Sequence, residues 1–417
     1  MPSNSISIKK KIVILGGSYG GISVAHYVLK HVIPQLTESE VYEVVLVSAS
    51  TQAMCRPACP RALITDDMFS QTKLFVDIEK QFEQYPAKKF NFVCATATAL
   101  DHINRTVSIT LRAGDVHTLD FHVLVVATGA STPSPLLGLN TDEESLRRTW
   151  VQFREALPAA KSIVIAGGGP AGVEVAGELG EYLNGRSGWL GSKPQPKVAI
   201  TLVTASKILP ALRSSIAQQA ETYLAKVGVT IIKQTRIESV EPYGAGTQAE
   251  FLTAKTTLTL MNGITLGADL YIPATGMTPN TSFIDQTLLT SDDHVDTNNT
   301  TMRVDKAGPR IYAIGDVSSY ARPAVHNILA AVPVLCTNMK RDLLLALGEE
   351  VTAASEDRMF KEDKRETQLV PIGKNKGVGA AMGWQLPSWM VWLIKGRDYW
   401  LWTTGGLWSG KQWAKES

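Results

Sequence analysis

Three glycines, Gly167, Gly169 and Gly172, stand at G-x-G-x-x-G spacing within KSIVIAGGGPAGVEVAGELG (161–180), a pattern suited to holding a pyrophosphate. The first permits a tight turn. The second lets backbone approach a phosphate, and the third lets a helix pack close to the strand before it. With Pro170 among them, these residues lead into a helix whose N-terminus offers unpaired N–H groups and the positive end of a dipole. Glu174 is read as lying on the first turn of that helix, where a carboxylate can fix a nicotinamide carboxamide or the adjoining ribose. The plainer reading of Glu174 is a carboxylate favoured by the helix dipole, worth about 0.3–1 kcal/mol. Two further groups have the right types for redox work. Cys55 and Cys59 in CRPAC form a pair of thiols four residues apart. On a regular helix that spacing sets Cβ atoms about 5–6 Å apart, against the roughly 3.5–4.5 Å of a disulfide. They are therefore read as two ordinary thiols, with a catalytic dithiol as the alternative that a distortion at Pro57 would allow.

The elements that must position these groups repeat. Residues 11–29 read as strand, glycine-rich turn and helix, with Gly16, Gly17, Gly20 and Gly21 around Ser18 and Tyr19. Ser18 takes the place of the second glycine of the pattern. The following strand, 41–47, ends at Ser48, where a dinucleotide fold commonly carries an acid for the adenosine ribose. Either Ser48 bonds that ribose or other groups do. An apolar strand delivers Ala127, Thr128 and Gly129, and the same triplet returns as Ala274, Thr275 and Gly276. Between the triplets lie the 161–180 stretch, a strand at 198–203, a helix expected over 208–227 and β-rich sequence to 266. This reads as a second nucleotide-binding unit inserted into the first. Its second strand ends at Thr204, again without an acid, so NADH and NADPH both stay open, with Lys207 and Arg213 as candidates for a 2′-phosphate. The segment 185–196 reads as a surface loop. Further on, RIYAIGDV (310–317) gives a strand that ends at Asp316, suited to a polyol hydroxyl, and a helix is expected over 322–334.

Composition narrows the partners. In 417 residues, Lys plus Arg number 41 and Asp plus Glu 39, a net charge of +2, which argues against nucleic acid as a partner. Four cysteines are too few for a disulfide framework and imply a reducing, intracellular, cytoplasmic setting. The apolar run 12–15 is too short for a signal-peptide core, Pro2 argues against N-myristoylation, and no apolar run reaches the roughly 18 residues of a membrane span. No metal site is expected. The C-terminal part differs in composition: Trp384, Trp389, Trp392, Trp400, Trp402, Trp408 and Trp413 all fall in it, with WMVWLI (389–394) followed by Lys395 and Arg397. Core packing, a homodimer contact, peripheral docking on an organelle membrane and an apolar substrate channel are the readings open for this tail.

Taken together, these residues resemble the two-dinucleotide-fold flavoproteins. In particular they resemble the apoptosis-inducing-factor-like group that includes ferroptosis suppressor protein and is related to type II NADH:quinone oxidoreductases. IGKNKGVGAAMGW (372–384) and IKGRDYWLW (394–402) are similar to the C-terminal signature of ferroptosis suppressor protein. The resemblance implies an α/β, Rossmann-like flavoprotein with an NAD(P)H-binding domain (136–266) inserted between two parts of an FAD-binding domain (1–135 and 267–345), followed by a C-terminal region (346–417). It implies FAD held by GGSYGG (16–21), Arg61, a backbone contact at Val93, and Asp316 on the ribityl chain. Ser48, Thr128 and Gly129 join that set. It implies NADH or NADPH held by Gly167, Gly169, Pro170, Gly172, Thr204 and Gly276, with Glu174 by the nicotinamide and Lys395 near the flavin. The chemistry implied is a hydride passed from NAD(P)H to flavin, then two electrons to a quinone-like acceptor. Alternatives are a redox-sensing flavoprotein acting through protein partners, a flavin disulfide reductase using Cys55 and Cys59, and a flavin oxidase of an organic metabolite.

Overall fold

A computed structural model describes residues 9–187, 196–349 and 356–416. Its largest sheet has seven strands, in the order Ile311–Ala313, Val123–Val126, Lys10–Leu15, Tyr42–Ser48, Phe90–Asp101, Thr106–Leu111 and Val116–Asp120. The first five run parallel and the last two turn back antiparallel as a meander. The central strands have apolar packing on both faces, so they read as unbroken apolar runs: Ile12, Val13, Ile14, Val123, Leu124 and Val125 are all fully buried.

A second sheet of four parallel strands follows the order Val229–Ile232, Ala199–Val203, Ser162–Ala166, Leu270–Pro273. Beside it lies an antiparallel meander of Ile237–Glu241, Thr256–Leu260 and Thr265–Ala268. The two sheets are joined where Ala130–Ser131 pairs antiparallel with Thr278–Pro279. Asn280 locks this crossing: its Nδ2 donates to the Thr128 carbonyl (2.9 Å), its carbonyl accepts from Thr128 Oγ1 (2.8 Å), and its N–H donates to the Gly129 carbonyl (3.0 Å).

The C-terminal part adds an antiparallel hairpin of Gln368–Pro371 and Gly377–Ala381, a short helix Ser388–Val391, a π-turn Trp392–Gly396 and a helix Leu401–Trp408. The hairpin lies on the helix Pro170–Asn184 so closely that a Cβ at Gly177 would sit 2.9 Å from Ile372 Cα. The last helix lies on the helix Tyr19–Tyr27. There His26 Nε2 meets the Trp408 carbonyl (2.8 Å), Lys30 Nζ donates to the Gly410 carbonyl (2.6 Å) and His31 Nε2 meets the Trp413 carbonyl (2.8 Å).

Several expectations change. The helix expected over 208–227 spans only Ser214–Ala225, because Leu209 precedes Pro210 and is thereby kept out of helical backbone. The helix expected over 322–334 runs from Val325 to Ala346 and passes through Pro333, since Leu335, Cys336, Met339 and Leu343 continue a buried face beyond it. The tryptophans of the tail divide. Trp408 and Trp413 are core, whereas Trp384, Trp389 and Trp402 are exposed. No described helix is long and apolar enough to cross a membrane. Of the loop read over 185–196, residues 188–195 lie outside the described residues, as does Pro2.

Candidate active site

The two glycine-rich turns have the same geometry. Gly16 and Gly167 both have φ of +119°, and a Cβ on either would fall onto a carbonyl oxygen, of Ala127 in one and Ala274 in the other. Each alanine belongs to one of the Ala-Thr-Gly triplets, so the triplets are walls of the turns. A Cβ on Gly21 would likewise strike the Gly16 carbonyl, and one on Gly172 the Gly167 carbonyl. Helices start directly after, at Tyr19 and Pro170. The strand-end residues are also equivalent: Ser48 packs its side chain on Gly17, and Thr204 packs its own on Gly168.

Open space lies where phosphate is expected. A Cβ built on Gly169, Gly129 or Gly276 meets nothing within 4 Å, and exposed Ser18 makes no side-chain capping bond, which leaves its hydroxyl uncommitted. Asp316, at the end of the edge strand, has its pKa raised by burial, opposed by the Arg56 guanidinium 3.6 Å away. Ser48 is buried and its Oγ donates to the Ser50 carbonyl (2.8 Å). Val93 pairs with Val47 in the parallel register, and its neighbour Cys94 opens onto a cavity of about 300 Å³ beside Ala49. These features fit two dinucleotides, one at each turn.

Glu174 and Lys395 come together. Lys395 Nζ lies 2.6 Å from Glu174 Oε1 and also donates to the Leu369 carbonyl (3.1 Å), and both residues are almost fully buried. The helix begins at Pro170, so Glu174 is its fifth residue rather than a first-turn carboxylate; the plain helix-dipole reading weakens accordingly. Burial raises its pKa to about 7, although the Lys395 ammonium acts in the opposite sense. Lys395 is set in the π-turn, a local widening common at functional sites. After it, Tyr399 and Trp400 both take positive φ, of 53° and 69°.

One turn further along the same helix, Glu178 accepts from Arg61 Nε (3.0 Å) and Nη2 (2.8 Å) and from the Tyr399 hydroxyl (2.9 Å). Arg61 Nη1 also donates to the Gly396 carbonyl (2.7 Å), and its guanidinium lies over the Tyr399 ring at 4.7 Å. Arg61, expected as an FAD contact, has its donors engaged inside the protein on Glu178 and the tail, where a bidentate carboxylate satisfies a buried guanidinium. Cys55 and Cys59 are free, buried thiols pushed up by burial to about 11 and about 12. That disfavours the thiolate a redox dithiol needs.

Three residues escaped the sequence reading. Glu178 and Tyr399 lie within the 161–180 and 394–402 stretches but were given no role, though Glu178 follows Glu174 by one helical turn, a spacing that places both on one face. Arg56, between the two cysteines, donates to the Ala130 carbonyl (2.9 Å) and so ties Asp316 to the strand crossing.

A family model for pyridine nucleotide-disulphide oxidoreductases matches residues 10–334. Oxidoreductase phnG of Penicillium herquei is 62% identical over 419 residues, covering 100% of both chains. Ferroptosis suppressor protein 1 of Mus musculus is 26% identical over 406 residues, 93% of this chain and 92% of that one. Among solved structures, NDH2 from Plasmodium falciparum in complex with NADH superimposes with a TM-score of 0.65 at 14% identity, over 98% of this chain and 99% of the other. The chain belongs to the pyridine nucleotide-disulphide oxidoreductase family, as an oxidoreductase whose cofactors are FAD and NADH or NADPH.

Proposed function

We propose that this chain passes two electrons from NAD(P)H, by way of FAD, to a quinone-like acceptor, and that Glu174 and Lys395 are the protein groups that serve the reaction. The observation that carries the reading is the buried Glu174–Lys395 contact at 2.6 Å, which brings the helix of the second glycine turn against the C-terminal π-turn. FAD, when bound, supplies the two-electron chemistry. Residues 16–21, Thr128, Gly129 and Asp316 hold it, with Ser48 and Val93 toward the adenosine end. Gly167, Gly169, Pro170, Gly172, Thr204 and Gly276 hold the nicotinamide dinucleotide.

Two-electron reduction of a quinone also consumes two protons, one of which enters with the hydride. Glu174, with its pKa raised to about 7, is half protonated near neutral pH and so both holds and releases a proton there. Lys395 places a positive charge and a donor where an acceptor oxygen becomes negative. Neither role calls on the thiols, which burial keeps protonated.

The test is anaerobic reduction by NAD(P)H followed by timed reoxidation with a quinone, a disulfide and oxygen, in the parent and in Lys395→Ala. Fast quinone reoxidation that slows in the variant while FAD content is retained supports the reading. Unchanged quinone turnover in Lys395→Ala removes the assigned role of the lysine, and disulfide turnover lost in Cys55→Ser favours the dithiol alternative.

A further inference from the structure

Each glycine turn has a cavity near its strand end, and the two cavities differ in the charge left free in them. The first, of about 300 Å³, opens at Ala49, the residue after Ser48. Its arginine, Arg112, is already paired with the Glu143 carboxylate at 3.3 Å. The second, of about 310 Å³, opens at Ala205, the residue after Thr204, and is lined by Gln234, Thr235, Arg236, Met261 and Asn262. No acid lines it. Arg236 enters from a different wall, the segment after the third strand, where its carbonyl is fixed by the Met261 N–H at 2.9 Å. Its exposed guanidinium has no acidic partner among the described residues. Next to it Thr235 is buried, 5% exposed, and its Oγ1 has no hydrogen-bond partner. A buried hydroxyl with no partner costs about 1–3 kcal/mol, and Thr235 stands in the wall of this cavity.

A dinucleotide seated on the GGGPAG turn sends its adenosine toward the end of the second strand. An acid there binds the ribose 2′-OH and repels a 2′-phosphate, but here the position is Thr204. The two cations nearest in sequence are spent: Lys207 Nζ donates to the Leu212 carbonyl (2.7 Å), and Arg213 is paired with Glu366 and donates to the Gly383 carbonyl. We propose that Arg236 is a specificity-determining residue which receives the adenosine 2′-phosphate, with Thr235 as its neighbouring hydroxyl, so that this chain takes NADPH in preference to NADH. The proposal rests on reading the second glycine turn as the nicotinamide-dinucleotide site.

The experiment uses the FAD-loaded protein and two readouts: calorimetric titration with 2′,5′-ADP, and kcat/KM for NADPH and NADH. The parent is expected to bind 2′,5′-ADP and to favour NADPH. Arg236→Ala is expected to weaken 2′,5′-ADP and to lower the NADPH-to-NADH ratio by about 10- to 100-fold, the size of a lost charge-assisted bond. Arg236→Lys restores part of it, and Lys207→Ala and Arg213→Ala leave the ratio at the parental value. A parent that prefers NADH, or an Arg236→Ala variant that loses both donors equally, overturns the proposal. Because 2′,5′-ADP binding needs no acceptor, Arg236-dependent binding in a protein with no quinone turnover separates failure of the acceptor reading from failure of this one.

Discussion

Glu174 and Lys395 have to be changed together for their roles to be read. Removing Lys395 alone takes away the cation that lowers the pKa of Glu174, 3% exposed, so that carboxyl is expected to take up a proton and to face the cavity its partner leaves. Lys395→Ala is therefore expected to lower Tm as well as quinone turnover. The double variant Glu174→Gln/Lys395→Met removes both charges at nearly constant volume; its Tm should stay closer to the parent while quinone turnover falls about 10²-fold or more. Melting curves beside kcat values for these variants separate the two effects, and a double variant with parental turnover would deny the pair any chemical role. His26 is a second residue with a measurable signature. Burial lowers its pKa from 6.5 to about 4. The unfolded chain then binds more protons than the folded one between these values, so the stability due to His26 is complete above pH 6.5 and is lost as pH falls toward 4. The full loss is roughly 3 kcal/mol. Denaturant titrations from pH 4 to 7 should show that slope, and His26→Gln should flatten it. His122, also lowered to about 4 but only half-buried, contributes less.

Among elements, the strand–turn–helix units have the least tolerance. A Cβ at Gly172 meets the Gly167 carbonyl, which is backbone and cannot rotate aside. Gly172→Ala should therefore cost at least about 1–3 kcal/mol and weaken NAD(P)H binding, both visible by calorimetry, with FAD content retained. An alanine variant with parental affinity would show that the turn can open. These units were legible in the sequence because their constraints are local: a strand of β-branched residues, glycines at fixed offsets, and a helix within one stretch of twenty residues. The triplets at 127–129 and 274–276 were legible for the same reason. The contacts at the core of the candidate site were not. Glu174 with Lys395, and Glu178 with Tyr399, are each separated by 221 positions, and no spacing rule reaches that far. Lys395 itself was placed near the flavin by the family resemblance alone, and it lies buried in the π-turn that follows the apolar run. Arg61 was singled out only through the family resemblance, and its bond to the tail carbonyl at Gly396 was beyond reach, since that carbonyl comes from 335 positions away.

At the scale of the molecule, the C-terminal tail is fastened at two places. It reaches the second glycine unit through Lys395 and the first through His26, Lys30 and His31, which hold the carbonyls of 408, 410 and 413 in that order. One chain segment thus spans both glycine-turn units. The larger sheet has a further property: its edge strand Ile311–Ala313 pairs with Val123–Val126 across a complete second sheet in the chain. On a ribosome this fixes an order of events. At about 5–20 residues per second, synthesis from the Val123–Val126 strand to the Ile311–Ala313 strand takes roughly 10–40 s, during which the larger sheet lacks its edge. The four-stranded sheet is fully emerged earlier, since all its strands lie between 162 and 273. Nascent chains arrested after residue 300 should accordingly resist protease over 162–273 while the first strands remain cleavable. The unit proposed to take the electron donor is thus assembled before the one proposed to hold the flavin.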